Sequence, residues 1–223
     1  MQTTVIKDLG LIDYHEAYSY QMKCVQQVLS GGSQAVILCE HPAVITLGRL
    51  SNKENLLAGP EILKKNSVSV HQMDRGGDIT LHAPGQLVVY PILNLANYKK
   101  DLHWYLRKLE ELSIDLLKDF GIVANRFSPH TGVWVGNRKI ISIGIGVRRW
   151  VSYHGLAINV ATNLDIYSMI RPCGLSVEMT SMSQLKGYPL NITEVKKAVG
   201  RYWDAHFSIN TDKNRTSQAL SLV

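Results

Sequence analysis

Cysteine is scarce in this chain, and the cysteines that it has are poorly placed for cross-linking or zinc binding. There are three, Cys24, Cys39 and Cys173, and no two of them form a C-x-x-C pair. An odd number of widely spaced cysteines predicts neither a disulfide framework nor a zinc site. We expect no metal and no cofactor.

Long apolar runs and targeting segments are missing as well. No apolar stretch approaches the ~20 residues that a membrane-spanning helix needs. The first ten residues have neither the basic nor the apolar region of a secretory signal, and Asp8, Asp13 and Glu16 disfavour a transit peptide. We therefore expect a cytoplasmic protein that does not associate with membranes.

The charge balance is moderately basic. The 223 residues carry a formal net charge of +6, but lysine and arginine never form a run of five or six. The charge favours acidic partners, which could be nucleic acid or acidic carrier proteins, although the sequence indicates no nucleic-acid-binding stripe. The length and an apolar fraction of 45% predict one globular domain over residues 1–210 and a loose tail over 211–223.

The order of helical and extended patterns predicts an α+β fold. Helices are expected over residues 13–30, from 60 and over 101–120 and 193–206, with Leu102 to Phe120 as the apolar stripe of the third. Strands are expected over residues 35–39, 43–47, 68–75, 79–82, 87–95, 122–127, 132–135, 139–147 and 150–160, the last with a hinge at Gly155. Because these elements are grouped and do not alternate strictly, we expect a mixed, mostly antiparallel sheet flanked by helices.

The stretch from Arg75 to Tyr90 reads R-G-G-D-I-T-L-H-A-P-G-Q-L-V-V-Y. It predicts a short strand, residues 79–82, between two glycine-bearing turns, with Thr80 and His82 on one face and Ile79 and Leu81 on the other. On these residues alone an ordinary β-hairpin is the simpler interpretation. The wall of a binding site is the alternative.

The predicted strand over residues 139–147 has one face that is almost without side chains. Ser142, Gly144 and Gly146 share this face, whereas the isoleucines alternate on the other. Interior glycines weaken a strand and often mark close approach of a ligand or another backbone. The strip predicts either the floor of a site or a crowded contact between the sheet and a helix that requires small residues.

Cys173 stands between Pro172 and Gly174, which predicts a turn. A cysteine in a loop is a better candidate nucleophile than one on a helix stripe, although most such cysteines are inert. A free thiol is only a few per cent ionised at pH 7 and needs an activating group. Lys139 and His82 are both available.

Several segments together resemble the lipoyl(octanoyl) transferases. The resemblance rests on the 75–90 stretch, on Glu40-His41-Pro42 and Thr46-Leu47-Gly48-Arg49, and on the segments 132–135, 139–149, 154–160 and 172–174. These motifs follow one another in the family's order across roughly residues 35–185.

The resemblance implies a biotin/lipoate protein ligase-like catalytic domain that moves octanoyl from acyl carrier protein to a lysine of a lipoyl domain, through an acyl thioester on Cys173. Lys139 would lower the pKa of Cys173 and move protons. The implied acceptors are the lipoyl domains of 2-oxoacid dehydrogenases and the glycine cleavage H protein. The substrate-binding segments would be Arg75, Gly76, Gly77, Asp78, Ile79, Thr80, Leu81 and His82, then Ser142, Ile143 and Gly144, then Gly155, Leu156 and Ala157.

Three features depart from this scheme. Strict alternation places Lys139 on the face opposite Ser142 and Gly144, so a bulge or a strand end must redirect it. Leu81 stands where the family usually has an aromatic residue, which predicts altered packing. Gly146 stands where an arginine is common, which removes a positive charge that a carrier would meet.

Three other functions remain open. An ATP-dependent lipoate or biotin ligase would have the same fold but would need no cysteine, so Pro172-Cys173-Gly174 counts against it. Transfer of octanoyl between lipoyl domains would use the same residue types. A non-enzymatic module that binds acyl groups or nucleic acid would be indifferent to replacement of Cys173.

Overall fold

The computed structural model describes residues 4–172 and 177–207, which form two sheets and the helices around them. The strands are Thr4–Leu11 (β1), Gln34–Glu40 (β2), Val44–Leu47 (β3), Ser69–Gln72 (β4), Ile79–His82 (β5), Gln86–Ile92 (β6), Asn125–Phe127 (β7), His130–Val135 (β8), Arg138–Arg148 (β9) and Val151–Asn159 (β10). The α-helices are Tyr14–Leu29 (α1), Pro60–Lys65 (α2), Leu102–Asp119 (α3), Met182–Lys186 (α4) and Ile192–Phe207 (α5). Within these residues no helix combines the length and the apolar character that a membrane span requires.

The predicted α+β class, with a mixed and mostly antiparallel arrangement of strands flanked by helices, is confirmed, and the strands divide between two sheets. Seven strands form one sheet in the order β1-β2-β6-β10-β9-β8-β7, and three form a second in the order β4-β3-β5. Pairing is antiparallel except for β1 with β2 and β3 with β4. The chain changes sheets at Pro42 and again at Pro84, and proline cannot donate the hydrogen bond that would continue a ladder.

The large sheet is covered on both faces. Helix α1 packs Ala17 and Val25 against one face, where they meet Ile37 of β2. Helices α3 and α5 cover the opposite face, where the isoleucine side of β9 joins the main core. Asp13 begins α1 as its N-cap, because its carboxylate accepts hydrogen bonds from the backbone N–H groups of His15 and Glu16.

The apolar stripe predicted for α3 is only partly correct. Leu109, Leu112 and Leu116 are buried as expected, but Leu102 is 41% exposed. Tyr105 is fully buried. Leu102 is the first residue of the helix, where the chain still enters from the surface, so the buried stripe starts one turn later.

The predicted hairpin at Pro84-Gly85 is wrong, although the turn itself is present. Gly85 has φ +82°, and the N–H of Gln86 donates to the carbonyl of Ala83. The strands before and after this turn belong to different sheets. The turn therefore places the small sheet beside the large one and opens a cleft between them.

Candidate active site

A cavity lies in the cleft between the small sheet, the large sheet and the start of α1. Its lining includes all but one of the residues that the resemblance assigns to substrate binding. The lining residues are Tyr14, Arg75, Gly76, Gly77, Asp78, Ile79, Thr80, His82, Val88, Tyr90, Lys139, Ser142, Ile143, Gly144, His154, Gly155, Leu156, Ala157 and Pro172. The exception is Leu81, which is fully buried in the core of the small sheet with Ile45 and Tyr167.

Lys139 reaches this cavity because β9 contains a bulge. Along the β8–β9 ladder, Val133 pairs with Ile141 while the next residue, Trp134, pairs with Lys139, so that Ile140 is the extra residue. One inserted residue reverses the alternation of side chains. The bulge therefore brings Lys139 to the same cavity as Ser142 and Gly144, which strict alternation would have prevented.

The floor of the cavity is formed by backbone. Pairing of β9 with β10 sets Gly144 opposite Gly155 and Ser142 opposite Ala157. A Cβ on Gly144 would stand 2.9 Å from the carbonyl oxygen of Gly76, and one on Gly155 would overlap the carbonyl of Val89. Both glycines therefore permit a close backbone approach that no larger residue allows.

Gly146 does not belong to this floor. A Cβ there would stand 2.5 Å from the ring of Tyr153, and the residue does not line the cavity. At this position the crowding comes from Tyr153 of the neighbouring strand β10, so Gly146 forms neither the floor of the site nor the expected contact with a helix. The expected hinge at Gly155 is also absent, since β10 runs unbroken from Val151 to Asn159.

The loop over residues 75–78 is held to the small sheet by side chains. The guanidinium of Arg75, which is 6% exposed, donates to the hydroxyl and the carbonyl of Thr46 and to the carbonyl of Gly76. Asp78 accepts hydrogen bonds from the backbone of Asn52 and the side chain of Asn55. These two charged residues thus fix the shape of the cavity wall.

His82 is a buried imidazole in this wall. Its Nδ1 lies 2.7 Å from Oε1 of Gln86, and its ring stacks on Tyr14 at a centroid distance of 5.8 Å. Burial, together with the nearby His41, lowers the pKa of His82 to about 3. The ring is therefore neutral at physiological pH and acts as a hydrogen-bonding group.

A second polar cluster borders the cavity at His154. Its Nε2 lies 2.8 Å from Asp74, which also accepts a hydrogen bond from the hydroxyl of Tyr153 at 2.7 Å. The hydrogen bond from His154 is the main cause that holds the pKa of Asp74 well below its usual value. Burial lowers the pKa of His154 itself. The cluster thus joins an ionised carboxylate to a neutral imidazole.

Cys173 lies outside the described residues, but the chain before the segment 173–176 reaches the cavity and the chain after it bonds to the backbone of Lys139. Pro172 lines the cavity. On the other side of the segment, the N–H of Lys139 donates to Glu178, and the N–H of Thr180 donates to the carbonyl of Lys139. The predicted nucleophile is thus bracketed by residues that contact the cavity or Lys139.

The side chain of Lys139 is buried, being 3% exposed. Its Nζ lies 5.4 Å from the ring centroid of Trp134, within the range of a cation–π contact. Gly132 leaves it room, because a Cβ there would stand 2.7 Å from Cε of Lys139. The N–H of Gly132 donates in turn to the buried carboxylate of Glu110.

Sequence reasoning missed Tyr14, Val88, Tyr90 and His154 as cavity residues. Tyr90 and His154 lie within the segments that carry the resemblance, so a signal was present. Tyr14 had none, because the first residue of an amphipathic helix is normally read as packing. Among residues 4–172 and 177–207, no three histidine, cysteine or acidic side chains are close enough together to hold a metal ion.

Solved structures place the fold among the lipoate and biotin protein ligases. A lipoate-protein ligase A bound with ATP superimposes with a TM-score of 0.77 at 17% identity, over 91% of this chain and 85% of that one. A biotin protein ligase from Aquifex aeolicus superimposes with a TM-score of 0.52 at 12% identity, over 92% and 69%. At these identities the likeness shows the fold alone.

Residues 13–203 match the lipoyl protein ligase A/B catalytic domain, and the chain belongs to that family. It is 45% identical to an octanoyltransferase from Solibacter usitatus over 91% of this chain and 92% of that relative. It is 46% identical to an octanoyltransferase from Syntrophotalea carbinolica over 87% and 90%. The resemblance to lipoyl(octanoyl) transferases is thus confirmed.

Proposed function

We propose that this protein is an octanoyltransferase of protein lipoylation, which transfers octanoyl from acyl carrier protein to a lysine of a lipoyl domain through a thioester on Cys173. The similarity to octanoyltransferases supports the reaction class. The observation that carries the mechanism is the position of Lys139 in the cavity, next to the residues that flank Cys173.

In the first half-reaction the Cys173 thiolate attacks the carbonyl carbon of the carrier thioester. A bond from that carbon to the cysteine sulfur forms, the bond to the carrier sulfur breaks, and the carrier thiolate takes a proton from the Lys139 ammonium. A neighbouring ammonium favours the thiolate form of a cysteine. Lys139 thereby prepares the nucleophile and protonates the leaving group.

In the second half-reaction the amine of the acceptor lysine attacks the acyl-enzyme. The carbon–nitrogen bond forms, the carbon–sulfur bond breaks, and the amine proton passes to neutral Lys139. This restores the ammonium and the thiolate for the next cycle. General acid–base catalysis by one positioned group contributes typically 10²–10⁴-fold.

The octanoyl chain is assigned to the cavity floor. The strip over Ser142, Gly144 and Gly155 leaves space for a slender apolar chain, with Val88 beside it. The oxyanion requires backbone donors, but the N–H of Gly76 is already bound to the carbonyl of Ile145. The stabilisation of the oxyanion is therefore assigned to backbone N–H groups other than that of Gly76.

The partners follow from charge and family. Arg148 and Arg149 are exposed at the turn between β9 and β10 and would meet an acidic carrier or lipoyl domain. A protein of similar fold, from the structural analysis of a lipoylation system of Thermoplasma acidophilum, is described as a bipartite lipoate protein ligase with its E2 lipoyl domain. Lipoyl domains of 2-oxoacid dehydrogenases and the glycine cleavage H protein are the proposed acceptors. The cytoplasmic location, the absence of a cofactor and the domain limits 1–210 and 211–223 stay predictions.

The test is an octanoyl transfer assay without ATP. Octanoyl-carrier protein and a lipoyl domain are incubated with the enzyme, and the mass of the lipoyl domain is measured. We expect the octanoyl mass increase without any nucleotide. If transfer instead required free octanoate and ATP, the protein would be a ligase and the proposal would be wrong.

A further inference from the structure

A chain of hydrogen bonds runs from the backbone beside Lys139 to His82. The carbonyl of Thr180 accepts from Nδ2 of Asn159 at 3.1 Å, and Oδ1 of Asn159 lies 2.9 Å from Nε2 of Gln86. Oε1 of Gln86 lies 2.7 Å from Nδ1 of His82. His82, Gln86 and Asn159 are all nine-tenths or more buried, so water does not compete along the chain.

The donor and the acceptor of every hydrogen bond in this chain are fixed by the group at one end, the carbonyl of Thr180. A backbone carbonyl only accepts, so the amide nitrogen of Asn159 must face Thr180 and its oxygen must face Gln86. The nitrogen of Gln86 then faces Oδ1 of Asn159 and the carbonyl of Leu81, two acceptors 2.9 and 3.2 Å away. If the side-chain amide of Gln86 were flipped, its oxygen would face both of these acceptors and no hydrogen bond could form. Its Oε1 therefore accepts, and Nδ1 of His82 carries the proton.

The proton on Nδ1 of His82 determines what the other ring nitrogen, Nε2, can bind. With the proton on Nδ1, Nε2 holds a lone pair and can only accept a hydrogen bond. The ring lines the cavity, and Nε2 has no partner among the described residues. This acceptor therefore belongs to a residue of the cavity wall, where a bound ligand can supply the donor.

The same chain ties His82 to the segment that carries Lys139. Thr180 donates its N–H to the carbonyl of Lys139 at 2.9 Å and accepts from Asn159 through its own carbonyl. His82 and Lys139 line one cavity and are held in a common framework. A hydrogen-bond donor that binds near the reacting carbon can therefore contact both His82 and Lys139.

We infer that Gln86 and Asn159 lock His82 in its Nδ1–H form, so that Nε2 accepts a hydrogen bond from the amine of the acceptor lysine as it attacks the acyl-enzyme. This inference rests on the proposed function. The octanoyl chain and the thioester carry no N–H or O–H. Among the groups that the reaction brings to that carbon, the amine is a stronger donor than a thiol. His82 orients the amine, and Lys139 takes its proton.

The tautomer is tested without an activity assay. Nitrogen-15 spectra of the histidine rings are recorded for the whole protein, and the His82 signals are assigned by their loss in His82→Asn. We expect Nδ1 to show the protonated type of shift and Nε2 the lone-pair type. The opposite assignment would overturn the inference whatever the kinetics show.

The role in transfer is tested in single turnovers that separate the two half-reactions. His82→Asn keeps an N–H where Nδ1 was but has no atom at the Nε2 position. We expect its acyl-enzyme to form at the parent rate and its transfer to a lipoyl domain to slow roughly 10- to 100-fold, the range for a hydrogen bond to a group that becomes charged. His82→Gln, whose oxygen can reach the Nε2 position, should recover part of this loss.

The control is His71→Asn, since His71 also stacks on Tyr14 but does not line the cavity. It should transfer at the parent rate, and thermal melts confirm that each variant folds. Transfer at the parent rate by His82→Asn would overturn the inference and leave the proposed function standing. If the parent protein formed no acyl-enzyme, the proposed function itself would fail.

Discussion

On one side of the cavity β5 presents His82, whose ring is held by Gln86, while on the other side β9 and β10 present Ser142, Gly144 and Gly155 with almost no side chain. The first wall positions a polar group through a chain of hydrogen bonds. The second wall makes space by bringing backbones together. An acyl transfer site needs both, since the reacting carbon requires directed polar groups and the apolar chain requires an uncluttered slot.

A large effect on stability is expected from filling the tightest point of the wall that β9 and β10 form. Gly155→Ala would drive its Cβ into the carbonyl of Val89 and to 2.6 Å from Cδ of Pro91. We expect a loss of about 3 kcal/mol in the free energy of unfolding, measured by urea denaturation, as for overpacked cores. The matched control is Gly59→Ala, because Gly59 has φ −73° and nothing within 4 Å of its Cβ position. Equal stability of the two variants would contradict the close approach.

Lys139 lies beside the wall that β9 and β10 form, and its replacement tests the acyl-transfer chemistry more than the shape of the cavity. For Lys139→Ala we expect acyl-enzyme formation to slow by roughly 10²–10⁴-fold near neutral pH. The loss should shrink as pH rises, because hydroxide then ionises the thiol without help. Rapid-quench mass spectrometry from pH 6 to pH 9 follows this trend. A loss that is the same at every pH would show that Lys139 positions and does not activate.

A smaller effect is expected at the contact between the two walls. In Gly144→Ala the new Cβ would stand 2.9 Å from the carbonyl oxygen of Gly76, so that the 75–78 loop must shift. We expect roughly tenfold lower kcat/KM, the order of loss that a displaced substrate-positioning segment produces. Gly76→Ala tests the same contact from the other side, where the new Cβ would keep 3.4 Å from the carbonyl of Ile145. Its loss should be the smaller of the two.

The two walls also differ in their response to acid. Burial lowers the pKa of His82 to about 3, whereas an unfolded histidine titrates near 6.5. Because the folded state binds fewer protons, the stability is fully present above pH 6.5 and falls as pH drops toward 3, by at most about 1.4 kcal/mol per pH unit. Urea denaturation of the parent and His82→Gln at several pH values measures it. The variant should show a shallower slope, whereas Gly59→Ala should keep the parent slope.

How far the sequence predicts this architecture depends on how local the cause is. Thr80 and His82 line the cavity and Leu81 turns away from it, as alternation requires, although Ile79 lines the cavity as well. The bulge that redirects Lys139 is predictable from the sequence, because regular alternation would point this side chain away from the site at which its family role requires it.

Other features depend on contacts between distant segments and left no local trace. Tyr14 faces the cavity only because α1 begins where the small sheet meets the large one. Gly146 looks like part of the floor until the ring of Tyr153 is placed against it. The turn between β9 and β10 places both Arg149 and Trp150 at positive φ, which neither residue type predicts.

The most direct test of the whole account is to locate the octanoyl group on the enzyme. The protein is incubated with octanoyl-carrier protein alone, and peptide mass spectrometry assigns the adduct. We predict a hydroxylamine-labile octanoyl group on Cys173, absent in Cys173→Ala and retained in Cys24→Ala and Cys39→Ala. An adduct that persists in Cys173→Ala, or no adduct on the parent enzyme while transfer proceeds, would contradict the account.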